Sequence, residues 1–462
     1  MATNLTRTLG TPSSQRIGTL SFWVKRCRVN DGVSSGSMKI IQYQGSPTYF
    51  SIYMDDRSAQ ANWSILRIHM DDTQSPQYVV GTKMRFRDCS AWYHVVVRID
   101  TTQASSGDRI RVYVNSELQT LGGLSDEGNQ PAQDYDIPGW ASGQTTTIGD
   151  GSSMYISQMI FADGQSYAPS TFGSTNTNNI WVPNASPSVT YGNNGYRLDF
   201  EGTGGTADAS GFGADTSGNA NHFTSNNLGT NPSVTDTPDN SFSTWNNLAN
   251  SSYTTLSVGN LIATGNTSSN NGNSDGTMAP SGGKWYWEVK YVTAASSSAT
   301  NYPNVGAYAV NVSRQPRNGG GNSESGYFDN GCSYKPDGEK KTNNTSSSYG
   351  TAWSAGDIIG VALDLENYAI YFSRNGSWQD SGDPTSGASK TGSATNFTTD
   401  DGEAFVPAIS SYNNSVLQTN FGNSPFALAS GNADANGEGS FEYAPPTGYY
   451  ALCTNNLALY GG

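Results

Sequence analysis

An all-β protein with more than one domain is what this sequence predicts, and three observations predict it. Glycine makes up 53 of the 462 residues and stands among long tracts of Ser, Thr and Asn, so turn formers are abundant and strong helix formers scarce. Short runs of strictly alternating apolar and polar residues recur along the chain, the period-2 signature of strands buried on one face. Turn dipeptides such as Asn375-Gly376 close such runs, because both residues tolerate positive φ. The length suits two or three domains, each able to bury a core. A charged fraction of 13% argues against a solvated helical bundle.

The first region runs to about Gly202. Thr19–Arg26 places Leu20, Phe22 and Val24 on one face, and Tyr49–Met54 is a second strand candidate. Trp92–Asp100, a polar turn with Gly107-Asp108, and Arg109–Asn115 read as an antiparallel hairpin. Thr145–Gly149 and Met154–Phe161 add two strands. Composition alone would make 203–252 a linker, but Phe212, Phe223, Leu228, Phe242, Trp245 and Leu248 are dotted through it and predict packing against neighbours. Beyond it, Gly283–Tyr291 sets Trp285, Trp287, Val289 and Tyr291 on one face. Gly356–Leu365, Tyr368–Arg374, Phe405–Ser410 and Val416–Gly422 follow as further strands with their turns.

Read as a series, GKWYWEV at Gly283–Val289, GDIIGVALD at Gly356–Asp364, FSRNG at Phe372–Gly376, FVPAIS at Phe405–Ser410 and NFG at Asn420–Gly422 resemble the SPRY domain, in which these elements come in this order. The resemblance implies a β-sandwich that binds partners through loops, and so binding rather than catalysis. SFWVKR, WYHVVVRID, RVYVN and TIGD are similar to the laminin-G and concanavalin-like jelly-roll family, with Asn115-Ser116 where that family usually has Asp-Gly. The expected organisation is a jelly roll over 1–202, a packed irregular connector over 203–252, a SPRY-like β-sandwich over 253–425, and a tail over 426–462 packing on that sandwich. The arrangement as a whole resembles virion surface proteins of tailed, especially marine, bacteriophages. It has Thr11-Pro12-Ser13-Ser14 before SFWVKR, then DTSGNANHF, then KWYWEV and a closing PPTGYYALC.

A net charge of −14 opposes nucleic acid and anionic membrane surfaces, both of which need clustered Lys and Arg. No apolar stretch approaches the roughly 20 residues of a membrane span. Met1–Gly10 lacks the apolar core of a secretory signal, so synthesis and assembly in a host cytoplasm are expected. Cys27, Cys89, Cys332 and Cys453 are far apart and predict reduced structural thiols. Asn-x-Ser/Thr triplets such as Asn62-Trp63-Ser64 and Asn396-Phe397-Thr398 arise by chance in a chain this rich in those residues, and carry no meaning without a secretory route.

Jelly-roll glucanases use carboxylates in a Glu-x-Asp-x-Glu pattern; the nearest run here, Ala362-Leu363-Asp364-Leu365-Glu366, lacks the first and reads as a strand end. His69, His94 and His222 have no spacing suited to a metal or triad, and His94 reads as a satisfied sheet residue. Asn318-Gly319-Gly320-Gly321 lacks the Lys-Ser/Thr of a phosphate cradle. Asp126, Glu127, Asp134 and Asp136 form an acidic cluster that is either a solvated loop or, as the laminin-G resemblance implies, a rim calcium site; no other cofactor is expected.

Sugar sites on β-sandwiches set aromatic faces beside Asn, Asp and Arg. Trp140, Trp378 and Tyr412, with Arg314 and Arg317, are the ligand-binding candidates, and Trp63 and Trp353 also lie in loop-like segments. The expected function is that of a non-enzymatic phage virion surface protein. A tail fibre or receptor-binding adhesin would recognise host surface glycan or protein, bind other virion proteins and act as a homo-oligomer, by analogy a trimer. The alternatives are a head decoration or capsid fibre without a ligand, a polysaccharide depolymerase, and a cellular SPRY scaffold.

Overall fold

Alternation is satisfied twice over, once in each half of the chain. The computed structural model describes residues 3–29, 37–45, 48–55, 64–71, 78–122, 128–149, 154–177, 179–228, 233–267, 270–296, 303–310, 330–398 and 403–462. Two units result: Met1–Ser233 with Thr237–Asp239, and Val234–Asp236 with Asn240–Gly462. The span 203–252 is thus divided between them. Its strand Thr224–Asn226 pairs with Asn4–Thr8 in the first unit, and its strand Trp245–Asn250 pairs with Gly272–Gly276 in the second.

Among the described residues the first unit holds a two-stranded sheet, Gly173–Thr175 with Trp181–Pro183, and two large antiparallel sheets. One runs Thr224–Asn226, Asn4–Thr8, Thr145–Ile148, Ser37–Gly45, Thr48–Asp55, Ile65–Asp71, Tyr78–Gly81, and the other Tyr196–Leu198, Met154–Asp163, Ile17–Arg26, Trp92–Asp100, Ile110–Val114, Glu117–Leu118. Leu20, Phe22 and Val24 join Val95, Val97, Ile99 and Val112 in a core completed by Tyr43, Phe50, Ile52, Leu66 and Ile68. The expected hairpin forms in register, Val95 opposite Val114 and Ile99 opposite Ile110. At Asn115-Ser116 the chain turns with φ of 47° and 75°, so these two residues adopt the left-handed pair that a two-residue hairpin turn requires.

The second unit also has two sheets. One runs Trp245–Asn250, Gly272–Gly276, Phe405–Ser411, Asn304–Ala309, Gly331–Tyr334, Glu339–Thr342, Thr345–Ser348; the other runs Thr254–Ser257, Ile262–Gly265, Val416–Asn420, Lys284–Thr293, Ile358–Asp364, Ala369–Arg374, Ser377–Trp378. Trp285, Trp287, Val289 and Tyr291 all enter one core with Val361, Leu363, Phe372, Ile409 and Leu417. Their neighbours Tyr286 and Glu288 occupy the outer face, where Phe441, Tyr449, Ala451 and Cys453 cover them. Tyr450–Ala451 adds a short parallel strand beside Trp285 and Tyr286, and the chain closes on the helix Thr454–Tyr460.

Glu288 is fully buried beneath this cover. Its carboxylate accepts the backbone N–H of Glu442 at 2.9 Å and of Tyr443 at 2.8 Å, the Tyr286 hydroxyl at 3.1 Å and Asn420 Nδ2 at 3.3 Å. Burial pushes its carboxyl above the usual range, and those donors pull against that shift. Of the apolar residues expected to pack across 203–252, Phe223, Phe242 and Trp245 are buried and Phe212 and Leu228 pack against the first core. Leu248 departs from the expectation: it is 61% exposed on the last strand of its sheet.

Candidate binding site

Loops meet at one end of the second unit, and their backbones are bonded to one another. Gly265 N donates to Ser415 O at 2.9 Å, Asn414 N to Asn266 O at 3.1 Å, Asn266 N to Tyr253 O at 2.9 Å and Ser296 N to Asn413 O at 2.8 Å. Side chains reinforce the bundle, Ser415 Oγ accepting Tyr412 N at 2.8 Å and Asn414 Nδ2 donating to Ser296 Oγ at 3.1 Å. Asn413 and Asn414 take φ of 37° and 63°, a conformation that Asn tolerates through local bonding. Gly265 is required by contact, since a Cβ there would lie 2.8 Å from the Tyr412 backbone. The rim so formed presents Ser252, Thr267 and Ser296 exposed and Tyr253, Asn266, Asn413 and Asn414 half-buried. It offers amides, hydroxyls and one aromatic ring, with no charge among these residues. Such a rim can exchange hydrogen bonds with hydroxyls or peptide groups without desolvating an ion.

Of the ligand candidates, Tyr412 is at this end but only 7% exposed, so it supports the rim from below. Trp378 is half-buried against the covered outer face of the sheet that holds Lys284–Thr293, not free to stack. Trp140 must be corrected outright. A short 3-10 turn, Pro138–Trp140, drives its ring into the first core at 1% exposure, 5.3 Å from the Phe161 ring, and Gly18 leaves room for it, since a Cβ there would lie 2.7 Å from the ring. Trp353 is likewise buried, against Tyr291. Arg314, Arg317, Trp63 and the Asn318 loop lie outside the described residues, as do Asp126 and Glu127. The rim is built of Asn and Ser and not of the aromatic and Arg side chains expected of a sugar site, and Asn413-Asn414 after the FVPAIS strand is its one mark in the sequence.

Asp136 and Asp134 hold a cation already, the Arg16 guanidinium at 2.6 and 3.3 Å. Among the described residues no three His, Cys, Asp or Glu side chains gather as a metal site would need. Asp364 caps the turn after its strand, accepting Glu366 N at 3.0 Å and Asn367 N at 2.9 Å, which fits a strand end and not a catalytic pair.

His94 lies 1% exposed between the rings of Trp23 and Trp181. Trp181 Nε1 donates to its Nδ1 at 2.9 Å, which leaves the ring proton on Nε2, 2.9 Å from Ser21 Oγ. The imidazole therefore donates to Ser21 and cannot take its proton. Burial also pushes its pKa down to about 3. The pair is a structural contact and not a nucleophile with its base.

Two domain models match this chain. Residues 284–424 match the SPRY domain model, and residues 5–151 match the model of the concanavalin A-like lectin/glucanases superfamily. A concanavalin A-like domain and a SPRY domain are present in this chain. Among solved structures, the SPRY domain of human HERC1 is 15% identical, matching 38% of this chain and 96% of its own with a TM-score of 0.29. A human SPRY domain is 16% identical over 36% of this chain and 94% of its own, TM-score 0.26. Stonustoxin is 19% identical over 38% of this chain and 27% of its own, TM-score 0.29. The SPRY match covers Ser296, Asn413, Asn414 and Ser415 of the rim, whereas Ser252, Tyr253, Gly265, Asn266 and Thr267 precede it, and the concanavalin A-like match covers His94 and Trp140.

Proposed function

We propose that this chain is a non-catalytic recognition protein whose second unit, which contains the SPRY domain, binds a neutral, hydroxyl-rich or peptide ligand at the Asn-rich loop end. The observation that carries the reading is the bonding of four loops, through backbone groups of Tyr253, Gly265, Asn266, Ser296, Asn413, Asn414 and Ser415, into one uncharged rim. A rim ordered before binding loses little conformational freedom on contact, which favours a recognition role. The order of modules supports a setting on a phage virion surface, as a tail fibre or receptor-binding adhesin touching host glycan or protein. Several copies on one particle would turn weak sites into firm attachment.

The test is a glycan and peptide array probed with the labelled chain, alongside a variant carrying Asn266→Ala, Asn413→Gly and Asn414→Gly. Glycine keeps the left-handed backbone at the last two positions while removing their amides. Binding that falls at least about tenfold with an unchanged melting temperature supports the reading. No binding by the parent chain, or equal binding by the variant, removes it. Immunogold labelling of intact particles separates the settings: label on tail fibres supports adhesion, and label over the head favours decoration.

A further inference from the structure

One side of the second unit is built from chain without charge. From Asn240 to Ser274 there is no Asp, Glu, Lys, Arg or His, although the chain carries −14 overall. This run supplies Trp245–Asn250, the last described strand of one sheet, and Thr254–Ser257, the last described strand of the other. Two hydrogen bonds tie these flanks together, Asn250 Nδ2 to Thr254 O at 2.8 Å and Trp245 N to Asn260 O at 3.0 Å. The side they bracket carries two large apolar residues in solvent, Leu248 at 61% and Val258 at 56% exposure.

Val258 is also strained. Val258, Gly259 and Asn260 take φ of 47°, 64° and 62° in succession, a left-handed turn closed by Leu261 N donating to Val258 O at 3.1 Å. Glycine and asparagine adopt this conformation readily, but a β-branched residue does so at a cost of about 1–2 kcal/mol. Burial within the unit does not offset that cost, because the side chain stands in solvent. Strain held at an exposed apolar residue points to a contact made elsewhere.

We propose that this side is where a second copy of the chain docks. Copies carrying −14 each repel wherever like charges meet, and the core of a protein interface is depleted of charge. A two-fold contact would set Leu248 of one copy near Val258 of the other and the reverse, satisfying both residues at once. Gln165–Tyr196 is equally free of charge, but its Tyr167, Phe172, Val189 and Tyr191 pack on Val96 and Ile160, and among its described residues Ile180 is the one large apolar side chain left strongly exposed. The proposal deepens the multivalent part of the recognition reading and rests on it only for the purpose of association.

Sedimentation velocity of the full chain across a wide concentration series tests it. The parent chain is expected to self-associate, and Leu248→Lys to weaken association at least about tenfold. Val258→Gly is expected to weaken association and, in melts made dilute enough that both proteins are monomeric, to raise the melting temperature by about 2–4 °C, because the strain is gone. Leu118→Lys, at 55% exposure in the first unit, is the control and should change nothing. A parent chain that stays monomeric, association unaltered by the first two variants, or a melting temperature lowered by Val258→Gly each overturns the proposal. A monomer that still binds the array sinks this interface and leaves the rim standing, and an oligomer that binds nothing does the opposite.

Discussion

Both units cover the outer face of a sheet with irregular chain, and they do it differently. In the concanavalin A-like unit, the cover follows directly on the strand Met154–Asp163. Phe172 packs on Val96 and Ile160, and the short strands Gly173–Thr175 and Trp181–Pro183 pair with each other. That cover satisfies part of its own backbone and grips the sheet through Trp181 on His94, Tyr167 N on Thr19 Oγ1 at 2.9 Å and Arg98 Nε donating to Ser166 Oγ at 3.0 Å, while the buried Asp163 carboxylate takes Asn194 N at 3.0 Å. In the SPRY-containing unit, the cover is the chain's last segment, which has little ladder of its own. Its backbone N–H groups find buried carboxylates instead. Glu288 takes two of them, and Asp434 takes Asn436, Glu438 and Ala451 N at 2.8, 3.0 and 2.8 Å. A covering segment must satisfy its polar backbone one way or another; the paired cover does part of it within itself and uses one buried carboxylate, Asp163, at its end, whereas the strap relies on Glu288 beneath it and on Asp434 within it.

The largest way to break this contrast is to end the chain at Pro425. The loss of Phe441, Tyr449, Ala451 and Cys453 uncovers Phe242, Tyr286 and Tyr371. Each buried aromatic removed costs about 3–5 kcal/mol, so the sum rivals the 5–15 kcal/mol that a domain has in total. Hydrogen exchange should show the second unit unfolded and the first protected. Glu288→Gln comes next, because a carboxamide turns an NH2 group toward donors that had acceptors. Denaturant titration should find about 2–4 kcal/mol lost, against little for a substitution at exposed Glu366.

In the first unit the sensitive group is His94. Its folded pKa of about 3 lies below the ordinary 6.5, so the unfolded chain binds the extra proton between those values and stability falls as pH drops below 6.5. Unfolding followed from pH 7 to pH 5 should lose roughly 2 kcal/mol, and His94→Gln should flatten that slope. A parent chain with no slope there would show the ring to be less enclosed than its two indole neighbours make it. The smallest effect belongs to Arg16→Ala, whose ion pairs with Asp134 and Asp136 are open to solvent; calorimetry should place its melting temperature within about 1 °C of the parent.

What the sequence by itself determined is the set of strands and the face each turns inward. Leu20, Phe22 and Val24, and Trp285, Trp287, Val289 and Tyr291, entered the two cores as alternation required. Period 2 is a local property of the pleat, so it is written into neighbouring residues. What lies beyond the other face is not local. Glu288, a charged residue on that face, is buried only because a segment some 150 residues onward lies over it, with |i−j| of 154 to its donor Glu442. Trp140 has the surroundings of a loop aromatic in sequence and enters the core because Gly18 leaves room for its ring. Leu248 looked like packing and faces solvent. The loop rim is tertiary for the same reason: Asn266, Ser296 and Asn414 are scattered in sequence, and only the pairing of distant strands carries their turns to one end of the sandwich.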